Sequence, residues 1–498
     1  MKKIISVLLI FVLSFMVLAC DIESLPTTTE GATTEGTTTE GTTTEGTSTD
    51  GTMTTTDGTT VSSETETTTE GSGPTEDIVL SYADWGSVEL NQYLIDAFEE
   101  EHPNITVELR KDISGTGGEF TANLLNAQAA GVLPDVFAID NVPTGYYNGM
   151  LLDVTEYWNN DPETDLVYDN IAETAVYEGK RYALPSFQFI KGIFINITLY
   201  KHYNINNSVL PDKDWHYDDF IALAREIRRV GKNDYVYGID PWFGMLDFET
   251  TFPMMDDADL GYNTWDGEQF NFTNPLWIEA YNLKLDLMEE NVVASYTAEE
   301  MAAIGEDTWP WYAGLIGTRI DGSWNLWMVD DMYADNGIEI GFWPYPGGDA
   351  RQYPPTILDY QVVSSQTEHP EEAYELAKWM TFGKQGWLKR LDYMEANNEL
   401  YLDRFPVSDI PEVWDEIDFY LDYVEGLRES VENLDQAKPD TDKWLPGYKQ
   451  FWAWVGNEEN DYWTKIEEGL VSPSTFAPVW EDKINQMVQD ALNQDEEE

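Results

Sequence analysis

The sequence predicts an α/β protein whose body folds as two lobes. Three observations carry this expectation. From Ile78 onward, short apolar runs alternate with helical periodicities, the pattern of a parallel sheet flanked by helices. The stretch from about Glu76 to Glu498 is long enough for two hydrophobic cores. The single cysteine, Cys20, lies upstream of it, so the body has no internal disulfide and must rely on those cores.

The N-terminus reads as an export and anchoring segment. Lys2 and Lys3 precede an apolar run from Ile4 to Ala19, shorter than the roughly 20 residues of a membrane-spanning helix. Residues 1–19 are therefore expected to be a signal peptide, and no later stretch is long enough to span a membrane. Val17-Leu18-Ala19-Cys20 resembles the bacterial lipobox, which implies lipidation of Cys20. Two or more acyl chains anchor stably where one is marginal. The expected location is the extracellular face of the cell membrane, touched only through the lipid anchor.

Residues 20–75 form a tether. Thr27-Thr28-Thr29-Glu30-Gly31 recurs at 37–41, 42–46 and 67–71, and almost nothing apolar interrupts it. A flexible chain of about 50 residues spans about 40 Å on average. The body behind it is acidic and aromatic. A net charge of −66 argues against nucleic acid as a partner, and against anionic ligands unless a local basic pocket offsets the field. Such a surface also fits high-salt surroundings.

The elements follow in order. Ile78 to Tyr82 reads as a buried strand, and Leu90, Tyr93, Leu94, Ala97 and Phe98 share one helical face that ends at His102-Pro103-Asn104. Ile105, Val107 and Leu109 alternate as a second strand. Gly117-Gly118 opens a helix with Phe120, Leu124 and Ala127 inward, and Pro134 to Asp140 forms a third strand. In such a sheet, ligands sit at the carboxyl ends of strands, where Trp85 and Asp140 fall. Glu178-Gly179-Lys180 is a tight turn, Leu184-Pro185-Ser186 a break, and Gly192 to Ile197 an apolar strand. Tyr217 to Val230 is an amphipathic helix with Phe220, Leu223, Ala224 and Ile227 inward.

The order of several motifs resembles a known family. They are Ala97 to Val107 (AFEEEHPNITV), Ala130 to Phe137 (AGVLPDVF), Tyr177 to Pro185 (YEGKRYALP) and Ile193 to Asn196 (IFIN). Ile320 to Trp324 (IDGSW), the Pro344 to Gly348 turn (PYPGG) and His369 to Ala373 (HPEEA) complete the series. Together they resemble the extracellular solute-binding proteins of sugar ABC transporters, the maltose-binding-protein type, up to about Gly386. The resemblance implies a two-lobe, type II periplasmic-binding-protein-like fold with the ligand in a cleft between the lobes. It also implies a carbohydrate ligand, docking on permease subunits, no cofactor and a monomer. The expected division is lobe 1 at about 76–189 and 321–365, and lobe 2 at about 190–320 and 366–498.

Sugar recognition needs flat aromatics for C–H faces and carboxylates or amides for hydroxyls. Trp85, Trp242, Trp309, Trp311, Trp324, Trp452 and Trp454 stand beside polar or loop residues, whereas Trp277, Trp379 and Trp387 read as core. The resemblance favours Trp324 as a stacking residue. The competing reading buries it permanently under Phe342 or another lobe residue. Trp452 resembles a second stacking position. Asp140 and Asn141, with Glu119 and Gln188 as weaker members, are the expected hydroxyl partners, and Trp85 and Trp242 complete the ligand-binding set.

Catalytic alternatives find little support. Four histidines lack metal-ligand spacing, a thiolate zinc site needs more than one cysteine, and no nucleophile elbow or phosphate loop occurs. Asp161, Glu163 and Asp165 read as a solvated acidic loop. No catalytic or metal residue is expected. The competing class is a cell-surface carbohydrate-active enzyme or adhesin.

Overall fold

A computed structural model describes residues 77–241 and 248–493. The expected signal peptide, Cys20, the tether and Trp242 lie outside the described residues. Among the described residues ten strands occur in order: β1 (Ile78–Ala83), β2 (Ile105–Leu109), β3 (Val136–Ile139), β4 (Val176–Tyr177), β5 (Lys180–Arg181), β6 (Leu184–Asn196), β7 (Tyr237–Ile239), β8 (Ile316–Gly322), β9 (Ile340–Pro344) and β10 (Thr356–Val363).

β6 links two sheet regions. The main path runs β2-β1-β3-β10-β6-β8-β7, with β9 also on β6. β1 pairs in parallel with β2 and β3, and β10 runs antiparallel between β3 and the first half of β6. Pairing changes partners in mid-strand: Ile190 faces Thr356 of β10, and Lys191 faces Gly322 of β8. The expected break at Leu184-Pro185-Ser186 is therefore wrong, since these residues open one strand of 13 residues. A register shift absorbs Pro185, which pairs with Tyr360 while Phe187 pairs with Asp359. Proline is tolerated in a sheet at such a bulge because no ladder donor is needed there.

Each region buries its own core. The first packs Leu80, Phe98, Phe120, Phe137, Tyr360 and Trp379, drawn from β1, β3, β10 and their helices. The helix Val88–Glu101 covers it because Leu94, Ala97 and Phe98 recur at helical spacing. Ser87 caps that helix by accepting from Leu90 N at 3.2 Å, and the helix stops before Pro103. The second core gathers Ile193, Ile195, Phe220, Ile227 and Trp343 beneath the helix Tyr217–Gly231. A third lies on the other side of β6 and β9, with Phe194, Phe342, Trp387 and Val413. Phe342 sits over Gly192, where a Cβ would come within 2.4 Å of its ring, so that contact needs glycine. A fourth core ties the helix Pro275–Glu289 to the C-terminal helices around Trp480.

β9 pairs with the second half of β6, and the helix Pro370–Met380 packs into the first core. Its Lys378 pairs with Asp161 at 3.0 Å. Asp161 is buried and Glu163 accepts from Lys384 N at 2.8 Å, so this acidic stretch is an anchor for two helices rather than a solvated loop.

Candidate functional site

The strand crossing at Ile190–Lys191 builds the site. Ser323 grips it from the turn after β8: its Oγ accepts from Ile190 N at 3.3 Å and donates to Asp403 O at 2.5 Å. Asp321, which is fully buried, pairs with Arg319 at 2.6 Å and accepts from Asn325 Nδ2 at 2.8 Å. The Asp-Gly-Ser-Trp motif thus spends its aspartate and serine on holding the turn and leaves Trp324 half-buried at the crossing. Its ring partner is Phe189, edge to face at 5.7 Å. Phe342, one cover allowed by the competing reading, packs on Phe194 at 4.8 Å.

More aromatics gather around Asp321. Exposed Trp327 donates to Asn325 Oδ1 at 2.9 Å. Exposed Trp309 stacks on Tyr312 at 5.7 Å, with the Arg319 guanidinium 5.3 Å from its ring. Trp311, its neighbour, is fully buried and belongs to the core. Partly exposed indoles beside a fixed polar network suit a ligand with apolar faces and a hydroxyl rim.

The other wall is the carboxyl end of β1. Asp84 accepts from Gly86 N at 2.5 Å, Asn91 Nδ2 at 3.3 Å, Tyr82 Oη at 3.2 Å and Gln361 Nε2 at 2.8 Å. Trp85 is half-buried against Phe120 at 5.2 Å. A cavity of about 40 Å³ opens here, lined by Asp84, Phe187, Arg390 and Arg404 among others. Arg404 lies over both Phe187 and Phe189, at 5.0 and 5.4 Å, and so links this wall to Trp324. A larger concavity, lined by Tyr217, Phe252 and Leu283, lies on the second core and involves none of these residues.

A third wall comes from the C-terminal segment. Lys449 pairs with Asp140 at 2.7 Å, Lys443 pairs with Asp359, and Val142 N donates to Lys443 O at 2.8 Å. At mid-crossing the buried Lys191 donates to Tyr262 Oη at 3.0 Å. Asp440 is buried beside them, and burial together with the Asp442 charge pushes its carboxyl up to about 7. Burial and the neighbouring Arg404 bring Arg390 down to about 10.

The expected ligand residues divide accordingly. Trp85, Asp140 and Trp324 stand just past strand ends, and Glu119 is exposed on the first turn of its helix. Asn141 is committed elsewhere: its oxygen caps the helix Val142–Tyr147 and its nitrogen donates to Asp442 O at 2.9 Å. Gln188 is 0% exposed inside β6, with Nε2 donating to Pro406 O at 2.7 Å, so it cannot meet a ligand without the strand opening. Trp452 packs in the C-terminal aromatic core, stacked on Trp463 at 6.1 Å, but lies one turn from Lys449. Sequence reasoning missed Phe189, Arg390, Arg404, Lys191 and Lys443. Two arginines in the charged stretch past Gly386 gave no signal that the fold would bury one of them.

Comparison with known proteins agrees with this architecture. The family model for bacterial extracellular solute-binding proteins matches residues 84–386. An uncharacterised ABC transporter extracellular-binding protein of Pyrococcus horikoshii is 26% identical over 341 residues, covering 65% of this chain and 73% of that one. Two solved structures share the two-lobe fold. The sugar-binding protein MalE of Xanthomonas citri is 15% identical, with a TM-score of 0.62 over 84% of this chain and 100% of its own. The cyclic α-maltosyl-1,6-maltose binding protein of Arthrobacter globiformis is 18% identical, with the same TM-score and the same coverage. With a family model spanning most of the body and a matching two-lobe frame, the chain belongs to the bacterial extracellular solute-binding proteins, the binding components of ABC transporters.

Proposed function

We propose that this protein captures a carbohydrate outside the cell, in the cleft at the β6 crossing, and delivers it to the permease subunits of an ABC importer. The observation that carries the reading is the half-buried Trp324 beside Phe189, in a turn fixed by the hydrogen bonds of Asp321 and Ser323. The Xanthomonas protein's description as sugar-binding and the cyclic α-maltosyl-1,6-maltose named for the Arthrobacter protein support the same ligand class. In this reading the protein is a monomer that performs no chemistry, tethered to the membrane through a lipidated Cys20. The first core and the helix Pro370–Met380 form lobe 1, while β7 to β9 and the C-terminal helices belong to lobe 2.

A thermal-shift screen of the protein against a panel of neutral and acidic oligosaccharides tests the proposal. A ligand that binds only the folded state raises the melting temperature. The expected result is a rise with one sugar class and no product on prolonged incubation. Cleaved oligosaccharide would establish the enzyme reading instead, and no shift with any sugar would overturn the carbohydrate assignment.

A further inference from the structure

Two guanidinium groups line the cavity at the carboxyl end of β1, and they are not equivalent. Arg404 is paired with Asp403 through two contacts, at 2.8 and 2.9 Å. Arg390 is 5% exposed, yet its guanidinium makes no hydrogen bond or ion pair with a described residue. It rests against ring faces, 4.7 Å from Phe187 and 5.7 Å from Trp387, with the charges of Asp403 and Asp84 near it but not hydrogen-bonded to it. The nearby carboxylates are already engaged: Asp84 accepts four hydrogen bonds, and Asp403 holds Arg404. A buried cation without a hydrogen-bonded counter-charge is costly. It makes physical sense where a ligand brings the missing acceptor.

The cavity limits what that acceptor can be. At about 40 Å³, where one water needs roughly 10–15 Å³ on the same kind of measure, it has room for a few waters and so suits a terminal group better than a whole sugar ring. The arginine fork matches a carboxylate through two parallel donors. The contacts of Arg404 with Phe189 and of Phe189 with Trp324 put the cavity two side chains from the candidate stacking residue.

We propose that Arg390 forms a carboxylate subsite and that the natural ligand is an acidic carbohydrate, one bearing a uronate residue. The inference rests on the carbohydrate reading above and narrows it.

Calorimetry on the intact chain tests it with three probes: a uronate-containing oligosaccharide, its carboxyl-reduced neutral counterpart, and sodium acetate. The acidic sugar is expected to bind about tenfold to a hundredfold tighter than its neutral counterpart, the range of a charge-assisted hydrogen bond. That preference should vanish in Arg390→Met and be partly retained in Arg390→Lys. If Arg390→Met does not fold, the acid-to-neutral ratio on the unmodified chain still decides. Equal affinity for both sugars would overturn the inference and leave the carbohydrate reading standing. Acetate binding as tightly as the acidic sugar would overturn the sugar part, making this a bare carboxylate site. Failure of every sugar would overturn the functional reading itself.

Discussion

The ring of Trp324 lies directly over Gly322, so close that a Cβ at position 322 would come within 2.1 Å of a ring carbon. The glycine of the Asp-Gly-Ser-Trp motif therefore sets where the indole rests, and its neighbours Asp321 and Ser323 fix the turn. Trp324→Ala is expected to weaken sugar binding tenfold to a hundredfold, borrowing the roughly 1–3 kcal/mol of base stacking on an aromatic. Its melting temperature should change little, because the ring is only half-buried. Calorimetry paired with a melting curve checks both; normal binding with a large loss of stability would show a packing residue.

Gly322→Ala should reproduce the binding defect without deleting the aromatic. The added methyl must push the ring off its position, since the nearest atoms are the indole itself. A variant that binds sugar as tightly as the parent would show that the ring position is unimportant.

Trp480 is the contrasting case. It is fully buried among Trp277, Phe451, Trp452 and Phe476. Trp480→Ala is expected to cost about 3–5 kcal/mol of folding stability. Denaturant unfolding measures it, and a loss below about 1 kcal/mol would mean the cavity collapses freely.

Asp440 sets a pH dependence. Its folded value, about 7, lies above the ordinary carboxylate value of 3.8, so the folded state holds a proton that the unfolded state has released. Stability from this group is present below the unfolded value and is lost as pH rises from about 4 to about 7. Asp440→Asn should therefore melt higher than the parent at pH 8, with the advantage fading towards pH 5. Melting curves at both values test this; a constant difference would show that Asp440 does not titrate in that window.

Lys449 and Asp140 join the C-terminal helix Tyr448–Val455 to the end of β3. This pair should help hold the cleft shut. Ligand is expected to reduce the radius of gyration in small-angle scattering, and Lys449→Met to enlarge it in the free protein. Identical profiles with and without saturating sugar would argue for a rigid adhesin.

Sequence by itself determined the local elements of the first lobe. Phe120, Leu124 and Ala127 point inward as their spacing requires, and the strand at Val136–Ile139 ends at Asp140, because periodicity is a property of neighbouring residues. It also singled out Trp324 as a candidate, through the resemblance of the Asp-Gly-Ser-Trp segment to its family. Only the tertiary structure decided that β6 runs unbroken past Pro185, since a bulge against β10 absorbs what would otherwise end a strand. The same holds for Gln188, whose polar side chain is sealed by Pro406, 218 positions away. Arg390 is the sharpest instance. On its helix it looks like any charged surface residue, and only the packing of β6 and the return of the chain at Arg404 enclose it. Burial depends on what the rest of the chain brings to a position, and spacing along the sequence carries no record of that.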